Sequence, residues 1–111
     1  EPMATLEGRP VKIGEREFVV PKLRCGTNRR VSEIIEEIDG VDVKSGKLAD
    51  TQRWFDGHQR AICELLRRNY PDLDVRDIED LIDTDAVVTT FFAVLAASGK
   101  KVDDPGEAAS P

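Results

Sequence analysis

Residues 86–98 include Val87, Val88, Phe91, Phe92, Val94 and Leu95 and carry no charged side chain. The stretch is expected as a helix from Ala86 to about Ser98, ended by Gly99, with Lys100 and Lys101 near the negative end of its dipole. Phe91 and Phe92 are neighbours and so point about 100° apart. With Val88, Val94 and Leu95 they spread apolar groups round most of the circumference. A small domain struggles to cover a helix on every side. Two arrangements answer this: a central core helix wrapped by the others, or an apolar face left for another chain.

The rest of the chain offers elements to do the wrapping. Its 111 residues suit a single domain. Val11, Lys12 and Ile13, then Gly14-Glu15, then Arg16 to Val20 read as a β-hairpin with a two-residue turn, closed by Pro21. Val31, Ile34, Ile35 and Ile38 recur at helical spacing, with Thr27 or Asn28 as the expected cap and Gly40 as the stop. A loop is expected over 40–50. A longer helix follows, capped by Asp50 or Thr51 and running to about Asn69, with Trp54, Phe55, Ala61, Ile62, Leu65 and Leu66 inward and Tyr70 a further candidate for that stripe. Gly57 is expected to weaken that helix by about 1 kcal/mol relative to alanine. Pro71 breaks it, and Asp74, with Asp77 three residues on, caps a short helix through Leu81 and Ile82. The expected fold is therefore mainly α: a short N-terminal hairpin followed by three to four packed helices over 11–99. Residues 1–10 are expected as a disordered lead, in which Glu1 and Pro2 precede Met3, and 100–111 as a disordered tail.

The formal net charge of −6 is concentrated. Residues 70–85 hold seven acids and one base, Arg76, whereas 1–69 hold 13 bases and 12 acids. The acids do not form a calcium loop: counting twelve positions from Asp72 puts Asp77 at the required glycine and Asp83 at the required glutamate. Complementing helix starts explains them more simply, with a surface for a basic partner as the other reading. His58 has no partner at zinc-ligand spacing and is expected on an exposed helix face. Cys63 reads as a small buried hydrophobe, while Cys25 falls in an expected loop. Neither suggests a disulfide framework, which fits a reducing compartment.

No phosphate-binding, dinucleotide-binding or nucleophile-elbow motif occurs, and no carboxylate pair stands out from capping, so no catalytic residue, metal or cofactor is expected. The pairs Arg29-Arg30 and Arg67-Arg68 are too short for a nucleic-acid stripe, and 86–98 lacks side chains to read bases. No apolar run is long enough to span a bilayer, no signal peptide is expected, and neither nucleic acid nor membrane is an expected partner.

Val11-Lys12-Ile13-Gly14-Glu15-Arg16-Glu17-Phe18-Val19-Val20-Pro21-Lys22-Leu23 resembles the opening of the tail assembly chaperones of long-tailed bacteriophages and prophages. The resemblance continues in Leu65-Leu66-Arg67-Arg68-Asn69-Tyr70-Pro71-Asp72-Leu73, in Glu79-Asp80-Leu81-Ile82-Asp83, and in Ala93-Val94-Leu95-Ala96-Ala97-Ser98-Gly99. It spans about 11–99, with little to match over 40–57. It implies a non-enzymatic protein of the host cytoplasm that binds the hydrophobic tape measure protein and keeps it soluble while the major tail protein polymerises. It also implies a capacity to form homo-oligomers. Helix-in-groove binding of the client would use Trp54, Phe55, Phe91, Phe92 and Leu95. Two other roles compete: a structural tail component, such as a completion or connector subunit retained in the virion, and a small acidic regulator that binds a basic partner through 70–85.

Overall fold

The computed structural model describes residues 6–100; the expectations for 1–5 and 101–111 fall outside the described residues. It is a single domain in which an antiparallel hairpin, β1 (Arg9–Ile13) and β2 (Arg16–Val20), precedes four helices, as expected. These are α1 (Cys25–Asp39), α2 (Leu48–Leu66), α3 (Val75–Glu79) and α4 (Val87–Ala97), with 3-10 turns at Val43–Ser45 and Thr84–Ala86. Helix α2 is the axis of the molecule, packing against α1, α3 and α4, while α4 also lies on β1.

The hairpin starts inside the lead expected to be disordered. Arg9 pairs with Val20 and Pro10 with Val19. Proline is tolerated because the polar groups of Val19 point the other way: its N–H donates to the Tyr70 hydroxyl at 2.8 Å and its carbonyl accepts from Asn69 Nδ2 at 2.9 Å. Asn69 Nδ2 also donates to the Glu7 carbonyl. The Asn69-Tyr70 turn thus satisfies a strand edge that would otherwise be open. Gly14 takes φ +63° in the hairpin turn, and a Cβ there would strike the Leu81 carbonyl. The turn is therefore pinned against the segment after α3.

Helix starts differ from expectation. Helix α1 begins at Cys25, ahead of Thr27 and Asn28, and its N-cap Arg24 makes no side-chain capping bond. Helix α2 begins at Leu48, with Asp50 inside its first turn. The Asp50 carboxylate accepts from the Ser45 hydroxyl at 2.5 Å, which holds it below the ordinary carboxylate range, and Arg53 adds to that effect. Asp77 does accept the Asp74 N–H, at 3.0 Å, so the expected box at the start of α3 forms, although α3 stops before Leu81.

Gly57 carries a role that helix propensity hides. It is buried where α1 crosses α2, and a Cβ on it would lie 2.5 Å from Ile38 Cγ1 and 3.0 Å from Cδ1. Ile38 is β-branched and packed in the core, so it cannot simply swing aside. Gly57→Ala should therefore destabilise the fold by about 1–3 kcal/mol despite alanine's better helix propensity. The double variant Gly57→Ala/Ile38→Ala, which removes both Cγ1 and Cδ1, should lose less than the sum of the two single variants. Denaturant unfolding of the three variants checks this.

The apolar last helix is covered without becoming the central element. Val87, Phe91, Val94 and Leu95 are buried against α2 and the hairpin. Its outer face is made of Thr89, Ala93 and Ala96, with Val88 and Phe92 half-buried at the borders. Ser98, after its last turn, accepts the Leu23 N–H on its carbonyl at 2.9 Å and ties the helix end to the hairpin exit.

Candidate functional site

Four of the five expected contact residues converge, and the residue that joins them is one expected elsewhere. His58 is 7% exposed rather than on an open face. It sits on the side of α2 that meets α4, one turn after Trp54. Its Nδ1 lies 2.9 Å from the Trp54 carbonyl. A carbonyl only accepts, so Nδ1 carries the proton. The imidazole is thereby fixed between two aromatic neighbours, with its ring centroid 4.5 Å from Trp54 and 5.6 Å, edge-on, from Phe91.

The stacking continues at both ends. Phe55 packs edge-to-face on Trp54 at 5.3 Å, and Phe92 on Phe91 at 5.4 Å. The order Phe55–Trp54–His58–Phe91–Phe92 is one aromatic run from the first half of α2 to α4. Its centre is interior, with Phe91 4% exposed, and Leu95, one turn further along α4, lies in the same core at 2%. Trp54, Phe55 and Phe92 are half-buried and present the rims of the run. Leu48, at the start of α2, is 87% exposed and two helical turns from Phe55 on the same face. The accessible apolar surface is thus the first half of α2 and the Phe92 edge of α4, while Phe91 and Leu95 hold the helices together beneath it.

Asp50, Thr51, Gln52, Arg53 and Asp56 interleave with these apolar residues along the first half of α2. Gln59, next to His58, is also 7% exposed, and its Oε1 accepts no hydrogen bond among the described residues. Cys63 is buried and its thiol is pushed up to about 11 by that burial, which keeps it in the unreactive protonated form. Cys25 is exposed at the start of α1. Among the described residues no group of three or more His, Cys, Asp or Glu is placed to hold a metal ion. No helix among them is long and apolar enough to cross a membrane.

The seven acids of 72–85 are all exposed, and none forms an ion pair among the described residues. Asp74 and Asp77 form the reciprocal capping box at the start of α3, whereas Asp83 makes no side-chain cap bond at the next turn, so capping accounts for less of this cluster than expected.

His58 was hidden from sequence reasoning because Asp56, Gln59 and Arg60, within two residues of it, are polar. The available signal was its spacing, four residues after Trp54 and four before Ile62 on the same α2 face. Compared with protein-family models, curated proteins and solved structures, the chain matches none of them.

Proposed function

We propose that this protein is a tail assembly chaperone of a long-tailed phage or prophage, acting in the host cytoplasm to keep the tape measure protein soluble until the tail tube encloses it. The observation that supports this reading is the half-buried aromatic run together with Leu48. A helix of the client, laid along the first half of α2, would cover Leu48 and Phe55 and meet Trp54 and the rim of Phe92. Large apolar side chains set in a highly charged exterior suit a protein that must hold an apolar client and stay dissolved itself. The major tail protein is a further candidate partner, and self-association through the same surface would compete with client binding.

Co-expression with the tape measure protein tests the reading. The wild-type chain should raise the soluble fraction of the client, and Leu48→Glu/Phe55→Ala should abolish that gain while shifting Tm by only a few degrees, since Leu48 is exposed and Phe55 half-buried. A client that stays insoluble with the wild-type chain would count against it. So would recovery of the protein from purified virions, which would favour a retained structural subunit. The unpaired acids of 72–85 support the second reading, a small acidic regulator. That one predicts capture of a basic partner that is lost with added salt.

A further inference from the structure

Four arginines from two distant segments of the sequence come together where the start of α1 meets the end of α2. Arg24, Arg30, Arg67 and Arg68 line a concavity of about 360 Å³ with Gly26, Thr27 and Glu64. A second hollow, of about 380 Å³, shares Arg68 and adds Arg9, Lys22 and Glu7 at the hairpin exit. Among the described residues the two hollows carry six basic side chains against two carboxylates, in a chain whose net charge is −6.

One of those carboxylates is already shared. Glu64 accepts from Arg30 Nε at 2.9 Å and pairs with Arg67 Nε at 3.4 Å, so it aligns two guanidiniums while neutralising only one. Both contacts use Nε. Arg30 also reaches Thr27 Oγ1 through one terminal nitrogen, at 3.4 Å.

The backbone reinforces this field. The first N–H groups of a helix have no intrahelical acceptor and form the positive end of its dipole, where acids are normally favoured. In α1 the first turn has no acid and no side-chain cap, and its N-cap residue is itself an arginine. Arg30 folds back so that its Nη1 lies 3.6 Å from where a Cβ on Gly26 would sit. Positive charge is thus gathered on an end that is already positive.

We propose that this arginine-lined groove binds a short acidic peptide segment of a partner protein. Arginine forks match carboxylates in geometry as well as charge. The size of the complementary charge argues for a peptide over a nucleic acid. The local field extends about one Debye length, roughly 8–10 Å, so a short segment senses mainly the groove. A long polyanion would also run over the acidic remainder of the surface. Among the described residues no aromatic side chain lines either hollow to stack on bases. The inference is independent of the chaperone reading, because the groove contains none of Leu48, Trp54, Phe55 or Phe92.

Anisotropy titration of a fluorescein-labelled peptide of alternating Asp and Glu tests it. Saturable binding is expected at about 50 mM salt and should weaken about tenfold or more at about 300 mM. Arg67→Glu/Arg68→Glu should cost at least about tenfold in affinity. Arg53→Glu/Arg60→Glu changes net charge equally outside the groove and should stay within about twofold. Circular dichroism and Tm are measured on each, and Arg24→Gln/Arg68→Gln replaces the first variant if it fails to fold. Absence of saturable binding at low salt, or equal loss in the control variant, would overturn the proposal. Tighter binding of a single-stranded oligonucleotide of equal charge would overturn it in favour of nucleic acid. Self-association that Arg67→Glu/Arg68→Glu abolishes, with the peptide unable to compete, would overturn it in favour of a second copy.

Discussion

Phe18→Ala is expected to destabilise the protein by about 3–5 kcal/mol, enough to leave a domain of this size close to unfolding. Phe18 is fully buried on β2 and packs edge-on against Tyr70 with ring centroids 5.2 Å apart. Its loss would empty the space between the hairpin and the end of α2. Tyr70 would also lose the neighbour that holds its ring, and with it the hydroxyl that accepts the Val19 N–H. A two-stranded hairpin has little stability of its own, so the damage should spread to the whole N-terminal segment. Tyr70→Phe separates the two contributions. It keeps the ring contact and removes only the hydroxyl, for an expected cost of about 1 kcal/mol. Urea unfolding gives both values. A Phe18→Ala loss below that of Tyr70→Phe would show that the hairpin is not anchored through this ring.

The other large effect is a contrast between neighbours. Phe91→Ala should cost about 3–5 kcal/mol, whereas Phe92→Ala should cost about 1–2 kcal/mol. Phe91 is 4% exposed and closes the aromatic run against His58, while Phe92 is half-buried at its outer edge. Thermal unfolding of the two single variants is decisive, and equal losses would mean that both rings are interior. The contrast also decides which variant can report on client binding. Phe91→Ala confounds loss of fold with loss of contact, but Phe92→Ala leaves the core in place.

Much of the architecture was legible in local patterns. The hairpin followed from alternation and from Gly14, whose positive φ the turn requires. The α1 stripe followed from helical spacing, whereas α2 stops at Leu66, short of the end near Asn69 that Pro71 implied. What escaped were properties set by a neighbour from another part of the chain. Propensity marks Gly57 as a weak point, yet Ile38, nineteen residues away, makes it a point of close approach. Polar neighbours mark His58 as exposed, yet Trp54 and Phe91 enclose it. Arg30 and Arg67 read as halves of two unrelated basic pairs until Glu64 brings them to one place.

The sequence by itself determined that 86–98 would be a helix needing cover, because thirteen residues without a charge or a breaker cannot stay open to water. Only the tertiary structure decided how that cover is arranged. Burying Val87, Phe91, Val94 and Leu95 satisfies α4, since the side turned to solvent is made of small residues, Ala93, Ala96 and Thr89, whose exposure costs little. Large apolar side chains left partly accessible lie instead on the first half of α2, joined by the Phe92 edge of α4. Periodicity states which residues share a face of one helix, but which face meets another element depends on packing between distant segments.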